Sequence, residues 1–330
     1  MSVSINGTSG LVFNDASTQA TAATGFGFKN RIINGGMAIN QRGNTVTFDT
    51  AGTYMLDRWV QNNGGSAVIT GSQSSSGPAN STQYSLQVSV TTGAAPSAAN
   101  LIYTGQFIEG NNVADLWYGT SSASTVTLSF WVKSSVIGTY CVALQNSAFN
   151  RSYVANYTVS VANTWEYKSV TIPGDQSGTW LITNGVGLRV YFDVGSGSNY
   201  NTTANTWAAG SYTRTSGAVS LSATTGANLY ITGVQLEKGS TATSFDYRPY
   251  GTELSLCQRY YQKNTGVYYS SYGATYNYVN MPWKVTMRAS PTVTGLGGGT
   301  QDQATVDLAT AYTAGSAYAY YATPTASAEL

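Results

Sequence analysis

Residues Tyr230–Tyr261 read YITGVQLEKGSTATSFDYRPYGTELSLCQRYY, and three kinds of local signal meet in them. Tyr230 to Leu236 alternates bulky with small residues at period two, the pattern of a half-buried strand, and Glu237-Lys238-Gly239-Ser240 supplies turn chemistry. A β-domain ends here. Phe245 to Pro249 is aromatic, charged and broken by a proline, which pushes the residue before it out of the helical region, so it reads as an extended exit segment at a hinge or domain seam. Thr252 to Tyr261 then clusters helix formers behind Thr252 as a candidate cap, with Glu253 in the first turn. The sequence predicts a short helix that opens a second domain.

Working outward toward the N-terminus, strand candidates recur at the spacing of a sandwich: Ala67–Thr70, Tyr84–Val90, Leu101–Ile108, Thr125–Lys133, Thr139–Leu144, Tyr153–Val161, Glu166–Ile172, Gly187–Val194, Val219–Leu221 and Leu229–Leu236. Turns rich in Gly, Ser and Asn separate them, so two facing antiparallel sheets, a jelly roll, are expected. Tyr54 to Val60 reads as one bulky strand carrying Asp57-Arg58. Arg58 either meets an acid in the interior or forms a rim salt bridge, the duller and preferred reading. Trp131 and Trp165 lie in or beside strands and are assigned to the core, where aromatics bury large areas.

Composition agrees with an all-β chain. Only 9% of the 330 residues are charged, with 36 glycines and 25 tyrosines in their place, against about 25% charged in ordinary proteins. That mixture favours strands and tight turns and is seen in fibres and adhesins. A net charge of +1 argues against nucleic acid, which wants a basic stripe. No apolar run is long enough to insert into a membrane, and residues 1–13 lack a secretory pattern. Histidine is absent, which removes the commonest metal ligand and general base. Cys141 and Cys257 each read as small buried apolar residues and not as halves of a bridge.

Three domains are expected: an arm at 1–28, a jelly-roll β-sandwich at 29–249, and a short helix with a small C-terminal β-domain at 250–330. The arm holds too few apolar residues for a core of its own and is either disordered or ordered by a partner chain; Ser9 to Asp15, with Leu11, Val12 and Phe13, looks like a strand waiting for an edge. In the C-terminal domain, Pro282–Arg288, Ser290–Thr294, Ala304–Leu308 and Ala317–Tyr321 read as strands after a tyrosine-rich alternation over 266–281.

The run GVQLEKGSTATSFDYRPYGTELSLCQRYYQK resembles a segment common in virion structural proteins of tailed bacteriophages of the tail-fibre and head-fibre type. KNRIINGGMAINQRG at Lys29–Gly43, LSFWVKS at Leu128–Ser134 and the ending ASAEL strengthen the resemblance. The sandwich pattern also resembles the jelly rolls of carbohydrate-binding modules. The resemblance implies a virion component: a tail-fibre or receptor-binding subunit, alternatively a head-decorating, cement or head-fibre protein, with a polysaccharide-cleaving tailspike as a lesser alternative. It implies a homotrimer that meets other virion proteins through the arm, at Leu11, Val12 and Phe13, and host glycan or protein through its later domains.

Tyr268, Tyr272 and Trp283 are candidates for receptor contact, because dense tyrosines offer large area for little rotamer entropy. Trp117, Trp180 and Trp207 sit among Gly, Ser, Thr and Asn, where an indole either stacks on a sugar or covers the end of the sandwich. Asp193, Asp175 and Glu237 are candidates for a structural Ca²⁺, and no other cofactor is expected. Glu109 with Asp115, or Asp175 with Asp193, would serve a glycosidase. The short repeats of a β-helix are missing, so no enzyme is expected.

Overall fold

Alternation of apolar residues fixes which face of each strand turns inward. In Val126–Ser134 the side chains of Val126, Leu128, Phe130 and Val132 are fully buried and join one core. The computed structural model describes residues 4–6, 10–12, 18–19, 28–43, 45–50, 52–264, 267–269, 276–296, 299–314 and 320–330.

Three short strands open the chain: β1 Ser4–Asn6, β2 Gly10–Val12 and β3 Thr18–Gln19. They pair with one another in the order β1-β2-β3, so Leu11 and Val12 already have strand partners within the chain. Phe13 lies outside the described residues.

The sandwich strands follow: β4 Val46–Thr47, β5 Tyr54–Leu56, β6 Trp59–Asn63, β7 Val68–Ser74, β8 Ser85–Thr92, β9 Ile102–Glu109, β10 Val126–Ser134, β11 Gly138–Gln145, β12 Ser152–Val159, β13 Glu166–Ile172, β14 Val186–Asp193, β15 Trp207–Ala208 and β16 Asn228–Lys238. They form two antiparallel sheets, β13-β10-β16-β8-β7-β4 and β15-β12-β11-β14-β9-β6-β5. Aromatic side chains lock the layers edge to face, Phe130 against Phe192 and against Tyr157, each at 5.0 Å between ring centroids. The chain is therefore an all-β sandwich, as the strand spacing predicts.

Two strand assignments within the sandwich need correction. Tyr54 to Val60 is a hairpin and not one strand, because Arg58 takes a left-handed φ of 71° and turns the chain between β5 and β6. Val219–Leu221 is not a strand, and a short 3₁₀ turn occupies Leu221–Ala223.

The helix α1, Tyr250–Gln258, starts behind Pro249, and Thr252 lies inside it instead of capping it. Beyond it come β17 Tyr261–Lys263, β18 Val267–Tyr269, β19 Tyr276–Pro282, β20 Thr292–Thr294, β21 Thr300–Ala304, β22 Leu308–Ala314, β23 Tyr320–Ala322 and β24 Thr325–Ser327. They pair as three small sheets, β17-β24-β20, β18-β23 and β19-β22-β21. The stretch expected as a strand over Pro282–Arg288 contributes only Pro282, the last residue of β19. Both cysteines are buried and free.

Ion pairs tie this region to the sandwich. Arg259 and Tyr260 both donate to Glu109 on β9, at 2.8 Å from Arg259 Nη2 and 2.8 Å from the Tyr260 hydroxyl. Glu329 accepts from Arg42 at 2.8 Å and from Arg58, whose guanidinium also donates to the Phe107 carbonyl and lies 3.6 Å from the centre of the Tyr260 ring. Arg58 is 1% exposed, so the rim salt bridge expected for it is replaced by an interior pair. No helix among the described residues is long and apolar enough to cross a membrane.

Candidate functional site

With Val126, Leu128, Phe130 and Val132 facing the core, Ser129, Trp131 and Lys133 must face the other side of β10. Trp131 stands opposite Tyr167 on β13 and Thr232 on β16, and Lys133 stands opposite Tyr230. Trp131 and Tyr167 meet at 5.4 Å between centroids. Trp131 is half-buried and Tyr167 is exposed, so the two rings form an aromatic step on a sheet face that also carries Ser129, Thr232, Gln235, Lys133 and Tyr230. The core assignment of Trp131 and Trp165 is thus corrected: both are half-buried, and Trp131 belongs to the outward set.

Gly233 shapes this step. A bulge between Ser129 and Trp131 accommodates it, its φ is +59°, and a Cβ there would come within 3.1 Å of Trp131 Cδ1.

A strap over residues 243–249 walls the step. Glu237 holds its start, accepting from the Thr243 amide at 2.8 Å and the Thr243 hydroxyl at 2.7 Å. The Gln235 side chain accepts from the Asp246 amide at 2.7 Å, and the Tyr247 hydroxyl donates to the Ser81 carbonyl. The segment expected to be an exit at a hinge is therefore pinned along the sandwich. Phe245 and Tyr247, edge to face at 5.1 Å, separate two clefts and line both. One, of about 550 Å³, has Trp131, Tyr167 and Gly233 in its wall. The other, of about 480 Å³, is lined by Tyr84, Tyr250, Asp246 and Glu253. Each is the size of an ordinary ligand site. Arg248 is buried beneath the second cleft, 3.3 Å from Glu253 and 3.8 Å from Asp246, and donates to the carbonyls of Ile32 and Asn30.

The residues nominated from sequence fall elsewhere. Trp283 is buried in the core of the C-terminal region, and its indole N–H donates to the Thr305 carbonyl at 3.0 Å, which leaves no open face for a sugar. Tyr268 lies in β18, and Tyr272 is outside the described residues. Trp180 and Trp207 are brought together at 5.5 Å and both meet the Tyr118 ring, while their N–H groups donate to the carbonyls of Ser177 and Pro173. They cap one end of the sandwich, with Trp117 exposed beside them in a left-handed turn of φ 56°.

The carboxylates are occupied. Arg151 grips Asp175 with two bonds of 2.7 Å, Asp115 meets Arg31 at 2.7 Å, and Glu237 holds the strap. Burial pushes the Asp193 carboxyl up, against the pull of Arg214 at 3.8 Å and the Ser196 amide. Asp175, Asp193 and Glu237 thus stand apart with donors of their own, a poor fit to Ca²⁺, which takes six to eight oxygens. No three acidic or cysteine side chains gather at a metal-binding distance among the described residues.

No family model matches the sequence, and no curated protein matches it. Solved structures do. The enzymatically active domain of tailspike protein 4 of bacteriophage CBA120 is 14% identical at a TM-score of 0.36, over 64% of this chain and 22% of that one. The family 11 carbohydrate-binding module of a Clostridium thermocellum cellulosomal cellulase is 13% identical at 0.31, over 60% and 97%. The xylan-binding domain CBM22-1 of Paenibacillus barcinonensis is 12% identical at 0.30, over 62% and 99%. At such scores what these proteins bind or cleave stays theirs, and the β-sandwich rests on this chain's own sheets.

The outward aromatic step was readable from the alternation of Leu128, Phe130 and Val132, which fixes Trp131 on the opposite face. Phe245 and Tyr247 gave no such signal, because their partners are distant in sequence, Ser81 lying 166 residues from Tyr247.

Proposed function

We propose that this protein is a non-enzymatic glycan-binding subunit of a tailed-phage particle, a tail-fibre or receptor-binding appendage component, and that the groove over Trp131 and Tyr167 receives the host glycan. The observation that carries the reading is the aromatic step itself: two partly open rings on a polar sheet face, walled by a pinned strap that leaves clefts on either side. Flat apolar faces set among hydroxyl and amide groups suit a pyranose ring, which is apolar on its faces and polar at its rim. The non-enzymatic part is supported by the pairing of Glu109, Asp115, Asp175 and Asp193 with arginines, which leaves none of them a free acid beside the groove. The virion part is supported by the sequence resemblance.

Replacing Trp131 and Tyr167 together by alanine should abolish retention on host cell-wall polysaccharide, while circular dichroism stays unchanged. Unaltered retention would move recognition off this face, most directly to the end carrying Trp117. Labelled antibody on virions separates an appendage, with label at the tail, from a head-decorating role, with label on the capsid. Light scattering should report a trimer, and a monodisperse monomer at micromolar concentration would remove the fibre assignment. Deletion of residues 1–27 should leave a folded protein that no longer joins the particle.

A further inference from the structure

We infer, on the reading of this groove as a glycan site, that its ligand carries an anionic substituent and that Lys133 receives it one row along the sheet from Trp131. Lys133 shares the outward face of β10 with Trp131, two residues away, a spacing of about 7 Å along a strand. Its ammonium lies 4.2 Å from the Tyr230 ring centre and 5.0 Å from that of Trp165. The Ser76 hydroxyl accepts from it at 3.0 Å, which engages one of its three donors.

The acids nearest to Lys133 are engaged elsewhere. Glu166, beside Trp165, turns its carboxylate to the amides of Ser160 and Val161 and to Lys168 at 2.6 Å. Glu237 is spent on the strap, and Asp246 and Glu253 lie with Arg248 beyond Phe245 and Tyr247. Among the ion pairs of the described residues, no carboxylate answers Lys133. Two aromatic faces give it partial compensation. Burial lowers its pKa, so the cation is short of solvent and gains from an arriving anion.

Lys133 does not wall the cleft over Trp131 but continues its sheet face one row beyond, within reach of a substituent on a sugar seated there. A sugar ring over Trp131 would set a carboxylate, or a sulfate or phosphate ester, toward Lys133, whereas in the neighbouring cleft the cation Arg248 is already held by Asp246 and Glu253.

The test is a glycan array of matched pairs: uronate- and sialate-bearing oligosaccharides with their carboxyl-reduced counterparts, and sulfated or phosphorylated ones with the unesterified sugars. The wild-type protein should bind an acidic member on the order of tenfold tighter than its neutral partner, from one charge-assisted hydrogen bond. The preference should shrink as salt shortens the Debye length below about 10 Å. Lys133→Met should erase the preference and leave neutral binding intact, and Lys133→Arg should keep it. The winning pair identifies carboxylate or ester as the anion. Hits confined to neutral members, or a preference that survives Lys133→Met, would overturn the inference and leave the groove standing. An array with no hits sinks the glycan reading and this inference together, whereas loss of all binding in Trp131→Ala alone marks the groove as the site.

Discussion

The substitution Glu329→Gln removes one charge from the latch between the chain's last residues and the sandwich, and its cost follows from what Arg58 keeps. Arg58 is 1% exposed and the Glu329 side chain 7%, so both are interior groups. Breaking a buried pair by neutralising one partner costs about 3–5 kcal/mol, because the surviving charge has no water to retreat into. Here Arg58 retains the Phe107 carbonyl and the face of Tyr260, and Arg42, 17% exposed, is partly reached by solvent. The low end, about 3 kcal/mol, is therefore expected. Burial pulls the Arg58 pKa down, and Glu329 together with Tyr260 and Tyr54 outweighs it; the variant loses the Glu329 share, but a guanidinium does not deprotonate in proteins, so neutralising the arginine is no escape. Urea unfolding at pH 7, followed by tryptophan fluorescence, measures the loss. Arg58→Met combined with Glu329→Leu should recover most of it, since a well-packed apolar pair often equals a buried ion pair. A Glu329→Gln variant within about 0.5 kcal/mol of wild type would show that the pair is hydrated and the latch unimportant.

Burial pushes the Glu109 carboxyl up, but hydrogen bonds from Arg259 and Tyr260 outweigh it and leave the group below its ordinary value. Its stabilisation is therefore present above the unfolded pKa of about 4.3 and lost as pH falls through the lower folded value; Glu109→Gln should flatten acid unfolding in that window, seen by circular dichroism against pH. Trp283→Ala should destabilise the C-terminal region by about 3–5 kcal/mol, as a large-to-small core change, and calorimetry should show an earlier transition with glycan retention intact. If Trp283→Ala melts like wild type but loses receptor binding, its ring contacts the receptor after all. Gly233→Ala forces a non-glycine residue into φ +59° and a Cβ toward Trp131, so it should cost about 1 kcal/mol or more and weaken glycan binding by displacing the indole, read by titration calorimetry.

The sandwich was legible because its strands carry their own evidence: Glu166–Ile172 coincides with β13, and the other long strands are offset by only a residue or a few at an end. The hairpin at Asp57-Arg58 was not, since a charged pair flanked by Leu56 and Trp59 looks like strand interior until its left-handed backbone is known. At Trp131 bulk misleads: a large ring in a strand suggests core, although the parity set by Phe130 and Val132 points it outward. The latch was illegible for a different reason. Nothing near Arg58 in sequence announces Glu329, 271 residues away, and local pattern carries no information about so distant a partner.

The same distance has a kinetic consequence. β24 is the middle strand between β17 and β20, so neither neighbour has its ladder until residues 325–327 have left the ribosome. Every sandwich strand has been synthesised by residue 238. Vectorial synthesis thus delivers the sandwich first, with Arg58 waiting uncompensated in its wall, and the closing step is a late, long-loop event of the kind that folds slowly. Until β24 arrives, a nascent chain of this protein carries β17 and β20 as open edges, each a template onto which a neighbouring nascent copy can add the missing strand.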